Sequence, residues 1–535
     1  MSFIAVQGVT HIAASSVPSF LVWLIWVIYG CVVLLICVYG LHRYWLLWMF
    51  ARVKDRRRNP ACPSTFAELP QVLIQLPMFN EVEVAERIIQ AAARIDYPAD
   101  RLRIQVLDDS TDESANVARR CVESLQAEGV AIEYVHREDR TGYKAGALAA
   151  GLAADRASEF VAVFDADFIP HRTFLHETIH YLAAEDIGFV QIEWSHINRH
   201  ESLLTECQAM FLDGHFMIEQ TARHCNRRWF NFNGTAGIWR RTCIDDAGGW
   251  QHDTLTEDAD LSYRAQLAGW RAIYLPEVQV PAELPSTTRA FLSQQHRWNK
   301  GLTQTALKLM PRILRSKAPL GVKLEAWFHL TSPVIYVAMI VLMLLALPAF
   351  LMLPSAQSMP LEIAIVVGAG MLGFGTFAAG AFYVVAQFVA GLRVRHALLY
   401  LPILMAIGIG LSVVNTRGVI GALCGVSSPF IRTPKSSQGS GGRTDPAALA
   451  GSSRWWARLF QKPGLIEIVF GMIASVCYVL SFVSGSYAMI GAPFLLLFAA
   501  GYFAVGIPAM RGNRKRDSAT RQQAQATSIS AVDQS

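Results

Sequence analysis

The 535-residue chain is long enough for more than one domain, and 53% hydrophobic residues is too high a share for an ordinary soluble enzyme, so membrane segments are expected. The net charge of +5 is modest and the basic residues cluster beside apolar stretches, which argues for membrane orientation and against nucleic-acid binding. Nine cysteines, an odd number with no Cys-x-x-Cys pair, give neither a zinc-ribbon spacing nor a disulfide framework.

The first predicted element is an apolar run from about 18 to 41, long enough for a bilayer, which takes ~20 such residues. Lys54-Asp55-Arg56-Arg57-Arg58 follows, placing the cytoplasm after the span and the N-terminus outside. No small-residue cleavage site comes soon after the run, so residues 1–55 read as an anchor and not a signal peptide.

Residues 56–285 have globular composition and alternate strand-like runs with helical patterns, for example Val72 to Pro77 and then Glu83 to Arg94. That alternation predicts an α/β domain with a largely parallel sheet. Two later runs, Arg103 to Leu107 and Phe160 to Phe164, are stopped by Asp108-Asp109 and by Asp165-Ala166-Asp167. Short apolar runs ended by Asp read as buried parallel strands whose C-terminal ends aim carboxylates into a crevice. Thr256-Glu257-Asp258 follows, and then Gln294-Gln295-His296-Arg297-Trp298 in a stretch, 286–325, read as interfacial helices.

Apolar spans resume at about 327–352 and 361–390, and a last hairpin covers about 465–485 and 488–508, within a membrane region of 326–510. If the run 397–413 crossed, the basic loop 432–462 would lie outside and the positive-inside pattern would break. The stretch 397–424 is therefore expected to lie at or dip into the cytoplasmic interface, leaving five crossings. Ser436 to Gly442 is a flexible loop, and 511–535 is a basic and then disordered tail.

Three acidic sites and a Gln-x-x-Arg-Trp site, in this order, resemble the processive family 2 glycosyltransferases of the cellulose synthase superfamily. Val106 to Asp112, Gly142 to Leu148 and Asn231 to Gly237 look most like its mannan and glucomannan synthase (cellulose synthase-like A) branch. The resemblance covers roughly 70–310 closely and the membrane part in outline. It implies a nucleotide-sugar-binding, Rossmann-like GT-A-type cytosolic domain inserted between transmembrane helices. It further implies an inverting, processive enzyme that builds a β-linked mannan, glucomannan or glucan and passes the growing polysaccharide across the lipid bilayer. The membrane is a bacterial inner membrane, or the Golgi or plasma membrane, with the catalytic domain and C-terminus cytosolic. The donor is GDP-mannose, GDP-glucose or UDP-glucose.

Roles carried over from the resemblance meet a physical reason at each residue. Asp258 is the base that takes the proton from the attacking hydroxyl; a positioned base contributes ~10²–10⁴-fold. Asp165 and Asp167 are hard oxygen ligands suited to Mg2+ or Mn2+, with Asp167 the one the family assigns to the metal. Asn80, Glu81, Asp108, Asp109, Lys144 and Asp165 face the nucleotide-sugar, with Gln294 and Arg297 beside its diphosphate. Phe232, Asn233, Gly234, Thr235, Glu257 and Trp298 line the acceptor site, where Trp298 gives a sugar ring a flat apolar face. Phe430, Thr433 and Lys435 match the gating loop of cellulose synthases, at about 425–445, although Arg432 stands in place of the usual valine. Each acid alone reads equally as a turn signal or a helix-terminal charge; their order and spacing raise them above that.

Other readings remain open on the sequence. A non-processive lipid glucosyltransferase of the ceramide type shares the Asp motifs, and the gating-loop match speaks against it. His176-Glu177-Thr178-Ile179-His180 fits a zinc protease, but its apolar neighbours Phe174, Leu175, Ile179 and Leu182 read as an amphipathic helix. A silent export channel would fit the spans, yet every catalytic position is filled. Gly368 to Gly373 matches a dinucleotide fingerprint inside a membrane span, where small residues serve helix packing.

Overall fold

The computed structural model describes residues 18–53, 57–352, 372–426, 464–483 and 491–511. Seven strands form one sheet: β1 (Val72–Met78), β2 (Leu102–Asp108), β3 (Ile132–His136), β4 (Phe160–Val163), β5 (Ile187–His196), β6 (Gly237–Arg240) and β7 (Arg271–Ala282). Their order is β3-β2-β1-β4-β6-β5-β7. β1, β2 and β4 are buried along almost their whole length because both faces are covered, the signature of strands at the centre of an α/β layer. The sheet is less parallel than the alternation predicts, since β6 runs antiparallel to both β4 and β5. No helix precedes β6 directly; it enters from an extended loop and is free to take the opposite direction.

Helices cover both faces. α2 (Val82–Ala93) places Val84, Ala85, Ile88, Ile89 and Ala92 on one buried stripe, and α3 (Ser114–Ala127) adds Ala118 and Val122 to the same side. Burying each Ile here contributes roughly 1.5–3 kcal/mol. α4 (Tyr143–Ala154) and α6 (Glu257–Leu267) pack Leu148, Leu152 and Leu261 against Trp239 and Phe189 on the other face.

Outside the sheet lie α1 (Ser19–Ala51), α5 (Leu203–Asp213), α7 (Thr288–Arg315), α8 (Leu320–Thr331), α9 (Val334–Met352), α10 (Ala378–Val389), α11 (Val394–Gly410), α12 (Ser412–Leu423) and α13 (Leu465–Val483). Among the described residues four helices are long and apolar enough to cross a membrane: Trp23–Ala51, Val394–Leu423, Leu465–Phe482 and Ala492–Arg511. The pair Leu320–Thr331 and Val334–Pro348, bent by 54°, makes a fifth if it is one broken span. The helical run through α11 and α12 departs from the expectation of an interfacial segment in having the length and hydropathy of a span. It packs against helices beside the sheet. His396, near the start, lies 3.8 Å from Glu206 of α5, and the Val414 carbonyl, three turns from its end, faces His296 of α7 at 3.1 Å. Phe430, Thr433 and Lys435 lie outside the described residues.

Candidate active site

Strand register explains why distant segments meet. Met78 of β1 lies opposite Asp108 of β2, while Val163 of β4 lies opposite Gly237 of β6. The chain just after β1, the chain just after β4 and the loop just before β6 therefore leave the sheet at one edge. The Thr235 hydroxyl accepts the Asp165 N–H at 2.8 Å, fixing the second and third of these to each other. α6 begins against them with Glu257 and Asp258, and α7 passes across with Gln294, Arg297 and Trp298. All border one crevice of about 1080 Å³, open to solvent, together with Glu81, Asp109, Lys144, Asp167, Asn233 and Gly234.

The crevice is electrostatically organised around Lys144, in the first turn of α4. The turn before it needs Gly142, whose φ is +77°, a left-handed conformation that costs glycine little. The Lys144 ammonium donates to Asp165 Oδ1 and, at 2.9 Å, to the Gly234 carbonyl, and it lies 4.0 Å from Glu257. Burial disfavours its charge, but Asp165 and Glu257 more than offset this and raise its pKa. Asp258 behaves oppositely. Burial pushes its carboxyl up, to about 7, and the Glu257 charge adds to the rise, while Lys144, the Ala259 amide and Arg297 pull it down. The Ala259 N–H donates to Asp258 Oδ1 at 2.8 Å. Asp260 is fully buried and holds Arg264 and Lys308, so it fastens α6 to α7 and is no part of the crevice wall.

α7 lies unusually close to α6. A Cβ on Gly301 would fall 2.6 Å from Thr256 Cγ2 and 2.7 Å from its backbone nitrogen, so only glycine fits. The Gln304 side chain also accepts the Leu255 N–H at 3.0 Å.

Four expected residues, Asn80, Asp108, Phe232 and Thr235, are not brought to the wall. Asp108 is 1% exposed; its oxygens accept from Ser110 N–H at 2.9 Å and from the Tyr134 hydroxyl at 2.6 Å, which makes it a brace for the loop after β2. Asp109 takes the crevice position, held by Arg137 through bonds of 2.8 and 2.6 Å. Phe232 is fully buried against Phe189 and Trp239, so its ring belongs to the core and not to an acceptor surface. Asn80 accepts the Thr111 N–H at 2.9 Å and shapes its own loop at a φ of +53°. Thr235, also fully buried, acts through the Asp165 amide.

Arg140 and Trp194 line the crevice without having been singled out in the sequence. The Arg140 guanidinium stacks over the Phe79 ring with its carbon 3.2 Å from the centroid, and the alternating charges of His136-Arg137-Glu138-Asp139-Arg140 were the available signal. His176 and His180 do not converge: His180 Nδ1 accepts the Phe66 N–H at 3.2 Å, while the His176 ring lies 5.9 Å from that of Tyr97.

A second cavity of about 1880 Å³ continues from the first, sharing Trp194, Asn233, Thr256, Asp258, Gln294 and Trp298 with it. It runs between α1, α8 and α10, where aromatic side chains such as Phe328, Tyr336 and Tyr383 alternate with polar His42, Arg43 and His329.

Residues 70–301 match the family described as "Glycosyltransferase like family 2". That segment is similar to the family 2-like glycosyltransferases, and it folds as a mixed sheet flanked by apolar helices. Glucomannan 4-beta-mannosyltransferase 1 of Oryza sativa subsp. japonica is 44% identical over 293 residues, 52% of this chain and 56% of the relative. Glucomannan 4-beta-mannosyltransferase 2 of Arabidopsis thaliana is 47% identical over 256 residues, 47% of this chain and 48% of the relative. The chain thus spans about half the length of the curated relatives it matches. Among solved structures, a mannosyltransferase from Pyrobaculum calidifontis in complex with GDP-Man and Mn2+ is 22% identical, covering 67% of this chain and 98% of its own at a TM-score of 0.47.

Proposed function

We propose that the chain is a membrane-embedded, processive, inverting hexosyltransferase that extends a β-linked polysaccharide, with mannose from GDP-mannose entering a 4-β-linked mannan or glucomannan. One observation carries the reading: a buried carboxylate with an elevated pKa, Asp258, at the junction of an open crevice lined by Lys144, Asp165, Asp167 and Arg297 and a long aromatic-lined cavity between apolar helices. The names of the relatives favour mannose over glucose, and GDP over UDP follows from that choice.

In this reading the donor occupies the first crevice and the acceptor end enters from the second. Asp258 accepts the proton of the attacking hydroxyl as that oxygen bonds to the anomeric carbon. Lys144 and Arg297 face the diphosphate on which negative charge builds as the sugar–oxygen bond breaks. Trp298 stacks on the terminal sugar. Asp165 and Asp167 present only oxygen donors to the crevice, and no group of three or more His, Cys, Asp or Glu is placed to hold a metal among the described residues. Such a sparse, hard donor set fits Mg2+ or Mn2+, which keeps several waters or phosphate oxygens as ligands. Bound there, the ion would neutralise charge on the leaving diphosphate. The N-terminus lies outside, and the catalytic domain and C-terminus lie in the cytosol. The stretch 397–424 rests on the interface, supported by its contacts to α5 and α7. Phe430, Thr433 and Lys435 act as a gating loop.

Incubating the purified protein with GDP-mannose, GDP-glucose and UDP-glucose in turn, followed by linkage analysis, tests the reading. The expected product is a 4-β-linked polymer containing mannose. A product made only from UDP-glucose overturns the donor, and a single hexose on a lipid overturns processivity.

A further inference from the structure

The wall shared by the two cavities is held by side chains to which neither the sequence motifs nor the proposed chemistry gives a part. Between α5 and the short helix Thr221–Cys225 the chain makes a π-helical turn, Gly214–Gln220. Such a turn widens the helix by one residue and changes which side chains share a face. Here it directs His215 toward the loop before β6 and Glu219 toward α1.

A continuous hydrogen-bonded chain results. Glu219 pairs with Arg43 of α1 and, at 3.2 Å, with Arg223. Burial opposes ionisation of the Glu219 carboxyl, but Arg43 and Arg223 outweigh it and hold the group well below the usual carboxylate range. Arg223 continues to Glu325 of α8 at 3.0 Å, and His42 meets the same carboxylate at 3.1 Å. Two arginines face two glutamates, so the cluster adds no large net charge to the second cavity and suits a neutral, hydroxyl-rich ligand.

The ionised Glu219 carboxylate only accepts, and His215 Nδ1 lies 3.2 Å from its Oε2, so Nδ1 is the donor. With Nδ1 donating, Nε2 is the ring atom placed to accept, 3.1 Å from Asn233 Nδ2. Nε2 is also 3.4 Å from Asn233 Oδ1, but that oxygen already receives Asn231 Nδ2 at 2.6 Å and Gln220 Nε2 at 3.1 Å. The Asn233 backbone N–H donates to Gln191 Oε1 at 2.8 Å. One N–H of the Asn233 amide is thus taken by His215, and the other has no partner among the described residues. Asn233 borders both cavities, and a Cβ on its neighbour Gly234 would fall 2.9 Å from the Asp258 carboxylate.

We propose that His215 is a positioning residue for the acceptor: it orients the Asn233 amide so that its remaining N–H meets a hydroxyl of the terminal sugar beside Asp258. The proposal rests on the glycosyltransferase reading above. It also assigns the Arg43–Glu219 pair a purpose, to tie that amide to the membrane helix α1.

The test uses the full chain in lipid nanodiscs, GDP-mannose as donor and short 4-β-linked manno-oligosaccharides as acceptors. His215→Ala should raise the acceptor KM ~10-fold, the worth of about one net hydrogen bond, while the donor KM stays within about twofold. Asn233→Ala should match it, and the double variant should be no worse than either single one. His215→Gln, whose amide can bridge the same two partners, should restore most of the loss, and it serves equally if the Ala variant fails to fold. Donor and acceptor KM rising together, single effects that multiply in the double variant, or a Gln variant no better than Ala would each overturn the positioning role. A wild type that binds nucleotide-sugar but transfers no hexose to any acceptor overturns the glycosyltransferase reading itself.

Discussion

Replacing Glu257 by Gln removes a negative charge next to the proposed base and should move the acid limb of the pH–rate profile. The Asp258 carboxyl is raised from 3.8 to about 7, with burial the larger cause and Glu257 the second. Because burial remains in the variant, the fall is part of the whole rise, on the order of one pH unit. The base must be ionised to act, so activity is lost as pH falls through its pKa and is full above it. At pH 6 the wild type therefore has about a tenth of its plateau rate and Glu257→Gln about half, a gain of roughly fivefold relative to its own plateau. The assay is the initial rate of hexose transfer at low substrate from about pH 5 to 8.5, since kcat/KM reports the free enzyme. Asp258→Asn should flatten the limb and leave less than about 1% of the rate with donor binding intact. A limb that stays in place in Glu257→Gln, or an Asn variant keeping more than about a tenth of the rate, would refute the assignment of Asp258 as base.

Exhaustive chelation should stop the wild type, and Mg2+ or Mn2+ should restore it. Asp167→Ala should need at least ~10-fold more donor under saturating metal, whereas rescue by zinc alone would contradict the oxygen-donor site. Glu325→Ala leaves Arg223, 2% exposed, without one of its two carboxylates, and should cost about 3 kcal/mol or more. The check is a fall of several degrees in the thermal inactivation midpoint, and an unchanged midpoint counts against the network. The double variant Phe430→Ala with Lys435→Ala should lose polymer synthesis and keep nucleotide binding; normal polymer yield leaves that segment a mere tether.

The parts of this site that could be read from residue order were those where one strand ends and its next residues have nowhere to go but the crevice. Asp165 and Asp167 follow β4 directly, and Asp258 opens a helix, so pattern and position agree. Asp108 shows where this fails. It ends β2 just as Asp165 follows β4, yet Ser110 and Tyr134 from β3 turn its oxygens inward, and the Tyr134 contact comes from 26 residues further on. Phe232 failed similarly: its ring joins Phe189 and Trp239, residues 43 and 7 positions away in the chain, because the loop is pinned at its backbone by Ser262. His215 was invisible because regular 3.6-residue periodicity misplaces side chains across a π-helical turn. The direction of β6 was equally hidden, since four residues carry too little pattern to tell parallel from antiparallel.

The near-contact of Gly301 with Thr256 bears on how the catalyst keeps time. Gln294, Arg297 and Trp298 ride on one helix of 28 residues, so the groups proposed to face the leaving nucleotide and the face proposed to lie under the newest sugar are parts of a single rod. That rod is docked on the helix of Asp258 at a point where a hydrogen atom stands in place of a methyl group. No hinge separates the three duties. If the chain acts as proposed, a displacement that frees the spent nucleotide also loosens the hold on the polymer, so the product would advance only in the interval between one donor and the next.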